Sequence, residues 1–259
     1  MLQRVRRDLR KARDAGYKVG IVDAFGKSST SGIVSISTRI DNLGLPLEAM
    51  EAWDVKPTEY FVLLLHFEKS YDPLERVVTS QAATHPEIKF CVGKCNKFKP
   101  LPTQAFYAFT GLHYPPGEED PEPEANTSSH PNTKFEKLFI SSSLDQFMCD
   151  SFVPLLKIRE NEGLDWDNAN EILRVKLGLS GDNQQRPDSH VASTRDYDLG
   201  PDHVKDVADE RSLPLVAMQV ATRYFVKCTE YCLRCHRRLD KELEALRPYV
   251  CTDPLSVAS

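Results

Sequence analysis

The sequence lacks the long apolar runs that mark membrane and secretory segments. No stretch of its 259 residues approaches the roughly 18 consecutive apolar residues of a membrane-spanning helix. The first residues are charged and have no apolar core of the kind found in secretory signals. Asp8 and Asp14 come too early for a mitochondrial presequence, which avoids acids. We therefore expect an intracellular protein with no membrane partner, whose seven cysteines are mostly reduced.

Motifs for phosphate binding and for serine nucleophiles are also missing. Gly26-Lys27-Ser28 resembles the end of a phosphate-binding loop, but Ile21 stands where the spacing requires a glycine. The sequence has no Gly-x-Ser-x-Gly nucleophile elbow either. The net charge of −5 and the pI of about 5.8 give no general attraction to nucleic acid. The basic residues near the N-terminus are typical of the solvated face of a helix.

What is present predicts an α+β fold with an antiparallel sheet. Tyr60 to Phe67 is a continuous apolar run, typical of a strand covered on both faces. Residues 88–95 alternate with the period of two that indicates a strand. Hydrophobic spacing and capping residues place the other elements. Further strands are expected at 19–25, 32–37, 75–80 and 105–109, and helices at 1–14, 46–53, from 143, at 166–177 and from 213.

Composition divides the chain into four parts. The stretch 180–201 is polar with scattered Gly and Pro, which is typical of a linker. The acidic, Pro-rich stretch 117–130 is expected to form a loop inside a domain. We expect an N-terminal helix with short strands (1–40), a main domain (41–180), a linker (181–212), and a helix followed by a cysteine segment (213–259).

A cysteine cluster near the end of the chain predicts an incomplete zinc site. Cys232-Leu-Arg-Cys235 places two thiolates on one tight turn, where both can bind one Zn²⁺ ion, and Cys251 follows at zinc-ribbon spacing. The fourth ligand is missing, because Ser256 stands where it is expected. Cys228 and His236 could substitute, but His236 directly follows a ligand and is badly placed to turn back to the ion. The alternative is a set of helix-borne thiols that hold no metal.

Two weaker patterns have structural alternatives. His130-Pro131-Asn132 is the tripeptide that precedes the active cysteine of ubiquitin-conjugating enzymes, where the Asn helps to stabilise an oxyanion. The nucleophile's position, eight residues after the Asn, is here Ile140, so a chance tripeptide in a polar loop is the simpler interpretation. Cys91 and Cys95 are either a metal or redox pair or two buried thiols, and strand geometry favours buried thiols.

Two segments together resemble parts of known families. The stretch 43–177 is similar to the RWD and ubiquitin-conjugating-like fold, most closely in Phe147-Met-Cys-Asp-Ser-Phe-Val-Pro-Leu-Leu through Asp165-Trp-Asp-Asn-Ala. Tyr231-Cys-Leu-Arg-Cys235 with Leu246-Arg-Pro-Tyr-Val-Cys-Thr-Asp-Pro-Leu255 resembles the segment before the catalytic domain in mono-ADP-ribosyltransferases of the poly(ADP-ribose) polymerase (PARP) family. Fungal members of that family also carry a ubiquitin-conjugating-like domain. In that branch a Cys follows the final Leu and completes a four-cysteine site.

The resemblance implies an interaction region of a larger enzyme. In this family the groups that bind NAD and transfer ADP-ribose follow the cysteine segment, and the His-Gly of the NAD-binding signature is absent here. We therefore expect a truncated product without transferase activity, which binds a protein partner such as ubiquitin or an ADP-ribosylation substrate. The alternatives are an inactive ubiquitin-conjugating variant that binds ubiquitin, and an active conjugating enzyme that uses Cys149 or Cys91.

Overall fold

A computed structural model describes residues 2–23, 31–80, 88–110, 132–176, 212–230 and 232. Within these ranges the chain has an α+β fold with one antiparallel sheet. None of the described helices is long and apolar enough to cross a membrane. The elements in chain order are α1 Leu2–Asp14, β1 Lys18–Asp23, β2 Gly32–Arg39, α2 Leu47–Ala52, β3 Tyr60–Phe67, α3 Leu74–Thr79, β4 Ile88–Cys95, α4 Pro102–Thr110, β5 Phe135–Glu136, α5 Ser141–Asp150, α6 Phe152–Glu162, α7 Trp166–Lys176 and α8 Leu213–Val226. Two 3-10 turns, Ile40–Leu43 and Cys228–Glu230, complete them.

The strands form a meander in which neighbours in the chain are neighbours in the sheet. The order is β1-β2-β3-β4-β5, and every pair is antiparallel. Six of the eight residues of the central strand β3 are buried, which confirms that its apolar run is covered on both faces. The strand expected at 88–95 is also confirmed, with the bounds that the alternation predicts.

One face of the sheet, called here the inner face, carries the main hydrophobic core. It packs against α8, and α1 and α5 lie beside α8. Phe225 of α8 stacks on Phe61 of β3 with ring centroids 4.6 Å apart, and it also meets Trp53 at 5.4 Å. Because β1, β2 and α8 share this core, the boundary expected after residue 40 falls between two paired strands. The helix expected after the linker belongs to the same core.

The opposite, outer face carries a smaller apolar cluster under α4. Ala105 of α4 is fully buried there against Val62, Leu64 and Cys91 of the sheet. The chain that links β4 to α4 crosses the same face, where the Ser37 hydroxyl donates to the Phe98 carbonyl at 2.6 Å. This linking chain and α4 therefore form the outer cover of the sheet.

Two predicted strands are wrong. Residues 75–79 lie in the helix α3, which Ser80 ends, and residues 105–109 lie in the helix α4. In α3 the inward residues are Leu74 and Val77, three apart, and in α4 the inward residues Ala105, Ala108 and Phe109 follow the three- and four-residue spacing of a helix. A proline precedes or begins each segment, which suits a helix start better than a strand interior.

The helical region after residue 140 agrees with the sequence except at one break. The helix expected from residue 143 is divided at Ser151 into α5 and α6. The Asp165 cap of α7 is confirmed, since its carboxylate accepts the backbone N–H of Asn168 at 2.8 Å. The expected end of α7 at Gly178 and residues 181–211 of the expected linker lie outside the described residues.

Candidate functional site

A cleft between β4, α4 and α5 gathers titratable side chains. The cavity has a volume of about 410 Å³. Strand β4 supplies one wall, α4 an aromatic edge, and α5 a row of polar groups on successive turns. Its lining residues are Ile88, Lys89, Phe90, Ala108, Phe109, Asp145, Cys149 and Asp150. Clefts that combine apolar walls with a few perturbed titratable groups are the usual candidates for a functional site.

Asp145 connects α5 to the central part of β4. Its Oδ1 accepts the backbone N–H of Val92 at 2.5 Å. Its Oδ2 lies 2.6 Å from the Nζ of Lys137, and the same Nζ lies 2.9 Å from the Sγ of Cys91. The Ser141 hydroxyl adds a bond of 2.6 Å to the carbonyl of Val92, so α5 is fixed to the strand at two places.

The thiols of this cleft are held in their protonated form. Burial raises the pKa of Cys91 to about 12, and it also raises the pKa of Cys149. Burial raises the pKa of Asp145 as well, against the opposing charge of Lys137. Burial alone lowers the pKa of Lys137, but Cys91 and Asp145 outweigh it and raise that pKa above its ordinary value. Because the thiolate is the nucleophile, neither cysteine is poised for covalent catalysis at neutral pH.

The structure describes one of the three residues expected to bind zinc. Cys232 is fully buried, whereas Cys235 and Cys251 lie outside the described residues. Cys228 is also buried, and burial raises its pKa to about 12. Within the described ranges no group of three or more His, Cys, Asp or Glu side chains has the geometry of a metal site. Zinc binding therefore stays a prediction for the final cysteine segment.

The other sequence motifs have mostly structural roles. Cys91 and Cys95 are both about 1% exposed on the outer face, which confirms the buried-thiol interpretation. Of the conjugating-enzyme tripeptide only Asn132 is described, and its carbonyl accepts a bond of 2.6 Å from Asn96. Ile140 is buried at the start of α5. Cys149 lies within α5, as predicted, and is half-buried.

Sequence reasoning missed the polar partners of the cleft and a histidine on the outer face. Lys137 and Asp145 lie in no recognisable motif, and only the tertiary fold brings them to Cys91. The Oγ of Ser31 and the Nε2 of His66 are 3.2 Å apart, and burial lowers the pKa of His66. The Nδ1 of His66 has no hydrogen-bond partner among the described residues, so the third member of a Ser-His-acid arrangement is not seen there.

Comparison of the chain with models of protein families, with curated proteins and with solved structures finds no match in any of the three.

Proposed function

We propose that this chain is a non-catalytic protein-interaction region, related to the front portion of PARP-like NAD⁺ ADP-ribosyltransferases. The supporting observation is the order of its elements. A leading helix is followed by the antiparallel meander β1 to β4 and, after an intervening stretch, by α5, α6 and α7. The resemblance of the stretch 43–177 to RWD and ubiquitin-conjugating-like domains implies a helix, a sheet meander, a long loop and two helices. Here α1, β1 and β2 lie before that stretch, and three helices end it. NAD is bound, in this proposal, by the catalytic domain of the parent enzyme.

Aromatic side chains on the outer cover of the sheet support a binding role. Phe98 is 45% exposed and Phe106 is 55% exposed, and both lie on the chain that crosses the outer face. The ring of Phe106 also contacts that of Tyr107, with centroids 5.9 Å apart. Aromatic residues are enriched at the centres of protein interfaces. We assign the contact with a protein partner, ubiquitin or an ADP-ribosylation substrate, to this surface.

Incubation of the purified chain with labelled NAD⁺ tests the absence of transferase activity. No label is expected on the chain or on an added partner protein, because the proposal gives NAD no binding groups here. Transfer of label that survives denaturation and depends on the folded chain would overturn this part of the proposal.

The second candidate is an inactive ubiquitin-conjugating variant that binds ubiquitin without a thioester. The raised pKa values of Cys91 and Cys149 favour it over an active conjugating enzyme. Incubation with ubiquitin, activating enzyme and ATP is expected to give no adduct that a thiol reductant removes. Such an adduct, lost in Cys149→Ser or Cys91→Ser, would establish the active enzyme instead.

A titration of labelled ubiquitin with this chain tests whether ubiquitin is the partner in either candidate. Saturable shifts that weaken in Phe106→Ser identify ubiquitin as the partner and place it on the outer cover. Val175→Ser is the matched control, because Val175 is 59% exposed on α7, away from the outer cover. If ubiquitin gives no shifts, the partner is another protein.

A further inference from the structure

A lysine amine and a cysteine thiol meet at the edge of the cleft. The Nζ of Lys137 lies 2.9 Å from the Sγ of Cys91, across a gap that one bridging atom can span. Cys91 is about 1% exposed, but the side chain of Lys137 is 44% exposed and reaches solvent. The two residues come from different parts of the fold, β4 and the segment that leads into α5.

Burial and charge keep both groups of this pair protonated at rest. Burial and the charge of Asp145 raise the pKa of Cys91 to about 12 against the opposing charge of Lys137, and Cys91 and Asp145 raise the pKa of Lys137. Asp145 Oδ2 lies 2.6 Å from the same Nζ and can accept the proton that the ammonium loses when the pair reacts. Asp145 also lines the 410 Å³ cavity, but Cys91 and Lys137 do not, and the 44% exposed side chain of Lys137 is the part of the pair that is open to solvent.

The other thiols near the sheet have different partners. Cys149 has a hydrogen bond to the backbone of Phe90. Cys95 lies 4.0 Å from the side-chain oxygen of Asn96. Neither of these contacts offers a nitrogen nucleophile, so the two residues are natural controls for Cys91.

We propose that Cys91 and Lys137 are a covalent modification site, at which a peroxide-class oxidant forms a reversible N–O–S cross-link. One peroxide oxidises the Cys91 thiol to the sulfenic acid and leaves as one water. The Lys137 ammonium gives one proton to Asp145. A second peroxide then accepts the two hydrogens removed from the amine N–H and the sulfenic O–H, the N–O bond forms, and two waters leave. Overall the thiol, the amine and two peroxides give the cross-link and three waters.

The cross-link ties the middle of β4 to the start of the α5 region. It replaces a salt bridge that is partly open to solvent with a covalent bond across two elements. Four molecules of a thiol reductant return both side chains to their original state, as they form two disulfides and the bridging oxygen leaves as water. The site is independent of the proposed interaction function.

Intact-mass and peptide mass spectrometry of the full chain after mild peroxide treatment test this site. The expected product is heavier by about 14 Da, from one oxygen gained and two hydrogens lost, with Cys91 and Lys137 in one cross-linked peptide pair. The product is expected to disappear with reductant and to be absent in Lys137→Arg, which keeps the positive charge beside Asp145. It should persist in Cys149→Ser and Cys95→Ser.

Other products would overturn the proposal. A gain of about 16 Da at Cys91, unchanged in Lys137→Arg, shows sulfenic acid only. A loss of about 2 Da shows either a disulfide, which Cys149→Ser abolishes, or a direct sulfur–nitrogen bond, which it does not. An unmodified Cys91 in a sample whose half-buried Met50 is oxidised shows that the oxidant does not reach the pair.

Discussion

Buried polar residues fix how the helices sit on this sheet. Asp8 of α1 is 3% exposed, and its carboxylate accepts a hydrogen bond of 2.6 Å from the Tyr71 hydroxyl. The carbonyl of the same residue accepts a bond of 3.0 Å from Ser212, the N-cap of α8. One residue of α1 therefore joins the region after β3 to the start of α8. Sequence patterns place Asp8 on a helix, but they do not show that it is buried.

Tyr71→Phe is expected to destabilise the fold by about 1–3 kcal/mol, because the buried carboxylate of Asp8 loses a hydrogen-bond donor. Urea denaturation measures the change in the free energy of unfolding. Tyr60→Phe is the control, since the half-buried side chain of Tyr60 makes no hydrogen bond through its hydroxyl to a described residue, and its effect should stay within about 0.5 kcal/mol. Equal effects of the two variants would contradict this role of Tyr71.

His66 is expected to make stability depend on pH. Burial lowers its pKa from the ordinary value of 6.5, with smaller effects from Glu68, Lys89 and Asp23. The folded state therefore binds its proton less tightly than the unfolded state does. The contribution of His66 to the free energy of unfolding is fully present above pH 6.5, and it is lost as the pH falls below 6.5 toward the lowered pKa.

Urea denaturation of the wild type and His66→Gln, from about pH 7 to about pH 5, measures this dependence. The wild type should lose more stability than the variant over that interval. The glutamine amide keeps a polar group near Ser31, 3.2 Å from the histidine ring in the wild type. Parallel curves for the two proteins would show that His66 does not carry the pH dependence.

At the scale of elements, α8 shows what periodicity can and cannot predict. The spacing of Leu215, Met218, Ala221 and Phe225 predicts an inward face, and all four are buried. The helix is in fact buried on nearly every side, since it packs on β2 and β3 and beside α1 and α5. Residues such as Gln219 and Thr222 are also buried. Because Gln219 and Thr222 are polar, the sequence does not indicate that they are buried. Their burial depends on contacts with elements distant in the chain.

Phe225→Ala is expected to cost about 3–5 kcal/mol in the free energy of unfolding. Phe225 is fully buried, and its removal leaves a cavity beside the rings of Phe61 and Trp53. Val175→Ala on α7 is the comparison at an exposed site, with an expected effect within about 0.5 kcal/mol. Chemical denaturation compares them, and a cost for Phe225→Ala near that of Val175→Ala would contradict the placement of α8.

The final cysteine segment is expected to bind zinc weakly through Cys232, Cys235 and Cys251. Native mass spectrometry should show one Zn²⁺ per chain, and the Cys232→Ser/Cys235→Ser double variant should lose it. Cys95→Ser is the control, because Cys95 is buried on the outer face of the sheet. An apo mass for the wild type under non-chelating conditions would count against the metal site.

At the scale of the molecule, the α+β class and the strands β3 and β4 follow from the sequence, whereas no local signal shows that β2 and α8 share one core. Strands β3 and β4 are recoverable because a long apolar run and a strict alternation are local signals. The short helices α3 and α4 are not predicted, since six or nine residues give little periodicity, although the prolines at their starts suit a helix. The contacts among Cys91, Lys137 and Asp145 cannot be predicted from the sequence, because they form only when α5 packs against β4.

A chain that ends at residue 180 is expected not to fold cooperatively, because the inner face of the sheet loses α8. A chain that ends at residue 232 keeps that helix and is the matched control. Near-ultraviolet circular dichroism and urea denaturation compare the two. A fixed tertiary signal with a sharp unfolding transition in the shorter chain would show that residues 1–180 form a complete core without α8.

We predict above all that the folded chain binds another protein. Cross-linking mass spectrometry with the intact chain in an extract of its source cells tests this most directly, with Phe106→Ser and Val175→Ser compared in parallel. We predict cross-links from the outer cover of the sheet to one partner protein, which weaken in Phe106→Ser and persist in Val175→Ser. Cross-links confined to the chain itself, or equal in both variants, would contradict the claim.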